Sequence, residues 1–199
     1  MNLQLTDHLT CPACRDGGPL ILLADRVEAR RVYAGQLGCP GCSVRYPIVN
    51  GVPQFAEPAA TPARPVAIDA VRAAALLGVT EGPGMLLFVG AFEEAARDVA
   101  GLLSDVEIVV AHGGASGGAS EGVSLLRIGE RLPLRDRSMR GALLADADAD
   151  MIAEAVRVVG LAARVVMVGA SPTGAAALRA ESVQVLVQQD DTLVTVRHS

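Results

Sequence analysis

The stretch Cys11-Pro12-Ala13-Cys14, followed 24 residues later by Cys39-Pro40-Gly41-Cys42, decides the fold of the first part of this chain. It contains all four cysteines of the protein. A tetrahedral Zn²⁺ ion takes four thiolate ligands, and two short CxxC turns can direct four sulfurs at one point with little strain. The gap slightly exceeds the usual spacing of ~15–20 residues, but intervening strands can bring the two turns together. We therefore predict a structural zinc site formed by Cys11, Cys14, Cys39 and Cys42.

The same four cysteines allow other chemistry. They could form two disulfides, remain unrelated buried thiols, or hold iron in the manner of rubredoxin. The opening residues, Met1 to His8, contain no apolar segment typical of a secretory signal, so we expect a cytoplasmic protein. Paired CxxC motifs in a reducing compartment favour metal binding over disulfides. Iron stays open as the alternative metal.

Composition argues against two classes of partner. The formal net charge is −5 and the chain contains no lysine, so it offers no basic surface for nucleic acid. Only five residues are aromatic (Tyr33, Tyr46, Phe55, Phe88 and Phe92), which gives little platform for base stacking. No apolar run approaches the ~20 residues of a membrane-spanning helix. We expect neither a nucleic-acid nor a membrane partner.

A proline-rich stretch divides the chain. Pro58, Pro62 and Pro65 fall within ten residues of little bulk, which is typical of an extended linker. We therefore predict an N-terminal module over residues 1–56, a linker over 57–66 and a C-terminal domain over 67–199. A module of ~55 residues buries too little surface to be stable alone, which is why a metal ion would stabilise it.

Alternating patterns predict an α/β fold for the C-terminal domain. Apolar strand-length segments occur near residues 85–89, 107–111, 123–128, 141–145 and 163–168, and helical patterns begin near residues 67, 92, 151 and 172. Residues 183–187 and 193–197 read as a closing hairpin. We predict a truncated Rossmann-like domain with a mostly parallel sheet. In the N-terminal module, short strands are predicted at 19–23, 29–33 and 46–53, the last broken by an Asn-Gly turn.

The N-terminal module resembles the small zinc-ribbon proteins that activate methyltransferases acting on tRNA, rRNA and release factors. The resemblance is carried by Leu9-Thr10-Cys11-Pro12-Ala13-Cys14, by the second CxxC pair, and by Tyr46-Pro47-Ile48-Val49-Asn50-Gly51-Val52-Pro53. In such activators an apolar strand contacts the methyltransferase. The resemblance therefore implies a protein partner or self-association, in which Ile48, Val49, Val52 and Phe55 contact this chain's own second domain, a twin copy or another protein.

The C-terminal domain resembles class I S-adenosylmethionine-dependent methyltransferases. Leu132-Pro133-Leu134-Arg135-Asp136-Arg137-Ser138-Met139 is similar to the family's LPFxDxSFD passage before the fourth strand, and Arg157-Val158-Val159-Gly160 is similar to its RVLKPGG turn. The family binds its cofactor with a glycine-rich turn after the first strand, and glycine lets the backbone approach the ligand closely.

The residues that would bind the cofactor depart from the family pattern. The turn after the first strand keeps Gly90 alone, and Phe92, Glu93 and Glu94 are expected to obstruct and repel the cofactor. His112 stands where an acid would accept hydrogen bonds from the ribose. We expect S-adenosylmethionine not to bind, and we interpret the chain as a non-catalytic zinc-binding scaffold. The alternative is a divergent methyltransferase with a rearranged cofactor loop or a partner that completes its site.

Overall fold

The N-terminal module is a small antiparallel sheet preceded by a short 3₁₀ helix. The computed structural model describes residues 1–14, 18–61, 63–118, 120–145 and 147–198. A 3₁₀ helix is followed by four strands in the order β1-β2-β3-β4, all antiparallel. The bounds are Leu3–His8 for the 3₁₀ helix, then β1 Ile21–Glu28, β2 Arg31–Gly38, β3 Arg45–Val49 and β4 Val52–Pro53.

Tight turns set the register of this sheet. The Asn50-Gly51 turn between β3 and β4 has both residues at positive φ, as the sequence predicts. Ala29 and Arg30 also lie at positive φ, 45° and 62°, and form the turn between β1 and β2. The predicted strand at 29–33 is therefore wrong in its first two residues, because nothing in the sequence around Ala29 marks a turn of this type.

The C-terminal domain contains the predicted strands and helices in the predicted order. Its seven-stranded sheet has the order β10-β11-β9-β8-β5-β6-β7. The strands from β5 to β9 run parallel, and only the closing hairpin introduces antiparallel pairs. The bounds are α1 Ala70–Leu77, β5 Gly84–Val89, α2 Glu93–Leu102, β6 Val106–His112, β7 Val123–Arg127, β8 Met139–Leu144, α3 Ala149–Val158, β9 Val159–Met167, α4 Pro172–Ala180, β10 Val183–Gln189 and β11 Thr192–Arg197.

Local sequence explains where the helices begin. Asp69, Asp148 and Ser171 each cap a helix through a side-chain oxygen that accepts a backbone N–H from the first turn. Pro172 follows Ser171 in the first helical position, as predicted. No helix among the described residues is both long and apolar enough to cross a lipid bilayer.

The N-terminal module covers part of the sheet that has no helix of its own. The connection from β7 to β8 forms no helix, and neither do the described residues of the connection from β6 to β7. Leu5 of the 3₁₀ helix and Leu9, which follows it, are fully buried in one core cluster with Val109 and Leu126. This cluster lies on the face of the sheet packed by α3 and α4. The module therefore completes the hydrophobic core of the C-terminal domain.

Backbone hydrogen bonds join the module to β7, the edge strand of the large sheet, and to the segment that follows β7. Gln54 pairs with Arg127 in a parallel bridge, and the Phe55 amide donates to the Arg127 carbonyl at 2.9 Å. The Thr10 amide donates to the Pro133 carbonyl at 3.0 Å. The edge of β7 is thus paired with residues of the module, which protects it from pairing with another chain.

A buried ion pair lies at the centre of this interface. Both guanidinium nitrogens of Arg31 contact the Glu107 carboxylate, at 3.2 and 3.0 Å, and the two side chains are 11% and 8% exposed. The same carboxylate accepts hydrogen bonds from the Ser124 hydroxyl at 2.6 Å and the Asn2 amide group at 3.0 Å. The one signal of this cluster in the sequence is Glu107, an acid inside an apolar strand.

The linker lies against the C-terminal domain instead of hanging free. The Ala59 amide donates to the Gly113 carbonyl at 3.0 Å, and the Val66 amide donates to the Ala91 carbonyl at 2.9 Å. Gly113 and Ala91 follow β6 and β5, so the linker crosses the carboxyl ends of two central strands. The predicted domain boundaries remain predictions.

We predict that Arg31→Met lowers the free energy of unfolding by about 3 kcal/mol, because it leaves a buried carboxylate without its counter-charge. Adding Glu107→Gln should recover a large part of that loss. Glutamine removes the uncompensated charge and keeps one of the two oxygen acceptors that Ser124 and Asn2 now use. Urea denaturation of the zinc-loaded protein measures both values.

The control is Arg26→Met with Glu28→Gln, an exposed pair 3.6 Å apart on β1. Exposed pairs contribute little, so these changes should stay within ~0.5 kcal/mol. An Arg31→Met cost as small as that of Arg26→Met would contradict the account of the interface.

Candidate metal centre and strand-end cleft

The two CxxC turns bring all four sulfurs to one point. Their sulfur atoms lie within 4.8 Å of one another. The closest pairs join opposite turns: Cys11 and Cys42 are 3.6 Å apart, and Cys14 and Cys39 are 3.4 Å apart. These separations exceed the ~2.05 Å of a disulfide bond, and all four cysteines are free thiols.

This cluster has the size of a four-thiolate metal site. With metal–sulfur bonds of ~2.3 Å, a tetrahedral zinc site has sulfur–sulfur edges of ~3.8 Å, which is close to the observed pairs. Cys11 and Cys39 are buried, and Cys42 is exposed. The cluster is therefore consistent with zinc and could be loaded from the exposed side.

Neighbouring groups shift the thiols in both directions: the hydrogen bond with the Cys42 sulfur raises the pKa of the Cys14 thiol. The backbone amide of Cys42 donates to the Cys39 sulfur and lowers the pKa of that thiol to about 6. The Tyr46 hydroxyl lies 3.3 Å from the Cys11 sulfur, and burial raises the pKa of Tyr46. Arg131 of the C-terminal domain donates to the Pro12 and Cys14 carbonyls at 3.3 and 3.5 Å. The first CxxC turn is thereby joined directly to the second domain.

A second feature is a cavity at the carboxyl ends of β5, β6 and β8, called here the strand-end cleft. Ligands of open α/β sheets bind at this end of the strands. The cavity measures about 250 Å³. Ala91, His112 and Ala145 from the strand ends line it, together with the linker residues Ala63 and Arg64.

The predicted obstruction of this cleft by Phe92, Glu93 and Glu94 is wrong. None of the three lines the cavity. The Phe92 ring is fully buried against Phe88 in the core, at a centroid distance of 5.5 Å, and Glu94 is exposed. The sequence could not show that the chain turns after Gly90 so that Phe92 packs beneath the sheet end.

Gly90 serves the packing of the protein itself. Its φ is 124°, and a Cβ atom there would lie 3.2 Å from both the Ala145 carbonyl oxygen and the Phe92 ring. This backbone conformation is open only to glycine. The close approach at this position is thus made by atoms of the same chain.

His112 is fully engaged in hydrogen bonds. The Gly114 amide donates to its Nδ1 at 3.2 Å, so that nitrogen is unprotonated, and Nε2–H donates to the Glu93 carboxylate at 2.6 Å. This bond lowers the pKa of Glu93. His112 stands where the family has an acid that binds the ribose. In this arrangement neither of its ring nitrogens is free to bind a ribose hydroxyl.

The apolar residues predicted to contact a partner differ in how deeply they are buried. Ile48 and Val52 are buried, at 3% and 2% exposure, and Phe55 is half-buried beside Tyr46. Val49 remains 47% exposed. Of the three possible contacts implied by the resemblance, the structure shows the one with the chain's own second domain.

The second domain has the fold of Rossmann-type methyltransferases, and the similarity to solved structures is one of fold. A chain in the complex between the Trm112 methyltransferase activator of Haloferax volcanii and its proposed methyltransferase aligns with a TM-score of 0.51 at 13% identity, covering 66% of this chain and 89% of that chain. The [4+2]-cyclase SpnF aligns with a TM-score of 0.50 at 16% identity over 61% of this chain, which spans only 58% of the cyclase.

The N-terminal module has a family match of its own. Residues 2–51 match the family model described as Trm112p-like protein, which confirms the resemblance of this module to methyltransferase activators. No curated protein sequence matches the chain. The chain therefore joins a Trm112p-like module to a domain with a methyltransferase fold.

We predict about one zinc ion per chain and a colourless protein, since a closed four-thiolate site suits zinc. Cys39→Ser should reduce the zinc content well below one per chain and lower the melting temperature, because metal binding is coupled to folding. Elemental analysis and a thermal scan measure the two effects.

The matched control is Ser43→Gly, beside the second CxxC turn. Ser43 has a φ of 62°, which glycine adopts freely. The Ser43→Gly substitution should therefore leave the zinc content unchanged. A red protein with visible thiolate-to-iron absorption would contradict the zinc assignment and favour iron.

Proposed function

We propose that this protein is a non-catalytic scaffold, in which a zinc-bound activator-like module supports a methyltransferase-like domain without a working cofactor site. The observation that carries the proposal is the state of the strand-end cleft. At about 250 Å³ it is smaller than the ~300–1,000 Å³ of typical ligand pockets. The linker that crosses it is hydrogen-bonded to Ala91 and Gly113.

The groups around the cleft support the same conclusion. Gly90 lines the cleft, and its missing side chain makes room for the Ala145 carbonyl and the Phe92 ring, which lie 3.2 Å from where a Cβ atom would be. At the end of β6, both ring nitrogens of His112 are hydrogen-bonded, to Glu93 and to Gly114. A ribose at this point would have to break the short hydrogen bond to a carboxylate, which is stronger than a bond between neutral groups.

The contact between the N-terminal module and the C-terminal domain also favours a structural role for the module. In the Haloferax volcanii complex, activator and proposed methyltransferase are partners. In this chain, the apolar residues Ile48 and Val52 and the backbone of Phe55 are already committed to the same polypeptide. We propose that Cys11, Cys14, Cys39 and Cys42 hold a structural zinc ion and that this metal maintains the surface on which the C-terminal domain folds.

One observation favours a second candidate, a divergent methyltransferase. The strand-end cleft is open rather than filled by Phe92, and it lies where sheets of this kind bind their ligands. If the linker moved away from Ala91 and Gly113, the cofactor would gain space. The two candidates differ in whether the resting protein binds the cofactor.

Calorimetric titration with S-adenosylmethionine and S-adenosylhomocysteine tests the proposal. We expect no saturable binding tighter than ~1 mM, because the cleft is small and His112 is already hydrogen-bonded through both ring nitrogens. The protein should first be shown to carry zinc and to unfold cooperatively.

A stoichiometric isotherm in the micromolar range would overturn the scaffold proposal. Gly129→Trp provides the control for specificity, because Gly129 lines the cleft and an added Cβ meets only Ala56 at 3.4 Å. Binding that Gly129→Trp abolishes would locate the cofactor in the cleft and establish the methyltransferase alternative.

A further inference from the structure

The outer edge of β10 is an exposed apolar strand without a neighbour. β10 (Val183–Gln189) is the terminal strand of the seven-stranded sheet, and in the part of the chain that the structure describes no other strand pairs with its free side. Val185, Leu186 and Val187 are 40%, 44% and 50% exposed. Three consecutive exposed apolar residues are unusual on a protein surface unless they serve a function.

The other sheet edges are protected in recognisable ways. β7 pairs with Gln54 and Phe55 of the N-terminal module. β1, the long edge of the small sheet, also exposes apolar residues, since Ile21, Leu23 and Val27 are 55%, 51% and 46% exposed. It differs from β10 in carrying the charged residues Asp25, Arg26 and Glu28, which discourage pairing between chains. β10 has no charged residue in its seven positions. It is therefore the edge best suited to accept another strand.

The sequence of β10 is complementary to itself. Residues 184–188 read Gln-Val-Leu-Val-Gln, which is the same in both directions. Two antiparallel copies related by a two-fold axis at Leu186 would place Val185 opposite Val187 of the partner subunit, and Gln184 opposite Gln188 of the partner subunit. At each position a residue would face one of the same type, and no charged residues would face each other, which suits a symmetric interface.

We propose that β10 pairs with β10 of a second copy of this chain, joining two seven-stranded sheets across a two-fold axis at Leu186. The free N–H and C=O groups of the edge would provide the hydrogen bonds, and the exposed valines and leucine would provide apolar burial. The N-terminal module takes no part in this pairing, which involves β10 alone.

A single strand pair makes a small interface, so the dimer should dissociate on dilution. Specific complexes that bury less than ~1,200 Å² are usually weak. β10 also bulges at Leu186 against β11, since Val185 pairs with Thr195 and Val187 with Val194. A bulge can protect an edge strand from pairing with another chain. If the protein stays monomeric at every concentration, the bulge at Leu186 protects β10 in this way.

Sedimentation velocity over a concentration series tests the proposal on the full zinc-loaded chain. The wild type should move from monomer toward dimer as concentration rises. Leu186→Lys should remain monomeric, because it places two ammonium groups opposite each other at the axis. Val71→Lys, on the outer face of α1 where Val71 is 64% exposed, adds the same charge elsewhere and should dimerise like the wild type.

The register is tested by a pair of matched double variants. Val185→Lys with Val187→Glu should dimerise, because each lysine would face a glutamate of the partner subunit. Val185→Lys with Val187→Lys should stay monomeric, because each lysine would face another lysine. A monomeric wild type, a dimer that survives Leu186→Lys, or equal association of the two double variants would each overturn the proposal.

Discussion

The structure depends on one constraint: a sheet face that lacks helices has to be covered by something else. The connections around β7 supply no helix among the described residues, and Leu126 and Val109 would otherwise face water. The N-terminal module meets this need with Leu5 and Leu9, and with backbone bonds to Arg127 and Pro133. Because burial of apolar surface is the main source of stability, the module is part of the domain's core.

This arrangement connects the sulfur cluster to the second domain. Cys11 belongs to the same core cluster as Leu9 and Leu134, and Arg131 donates to carbonyls of the first CxxC turn. A metal ion that orders the CxxC turns would therefore also order the surface that covers β7. In the proposed scaffold, metal binding is therefore coupled to the integrity of the methyltransferase-like domain.

Local patterns in the sequence predict most of the fold, and long-range contacts account for what they miss. The CxxC spacing, the apolar strand segments and the helix start at Ser171-Pro172 depend on a few neighbouring residues and are found where predicted. The direction of the Phe92 ring, the pairing of His112 with Glu93 and the contact of Arg31 with Glu107 depend on residues far apart in the chain. The linker was expected to be a spacer because proline-rich composition does not reveal hydrogen bonds at its ends.

The most direct test of the central claim is hydrogen exchange of the zinc-loaded and zinc-stripped protein. The account predicts that removing zinc increases exchange in the CxxC turns and also at β7 (Val123–Arg127) and the Phe55 amide, because the module and the sheet edge share one core. Increased exchange confined to residues 1–56, with β7 as protected as before, would contradict the claim that the module completes the second domain.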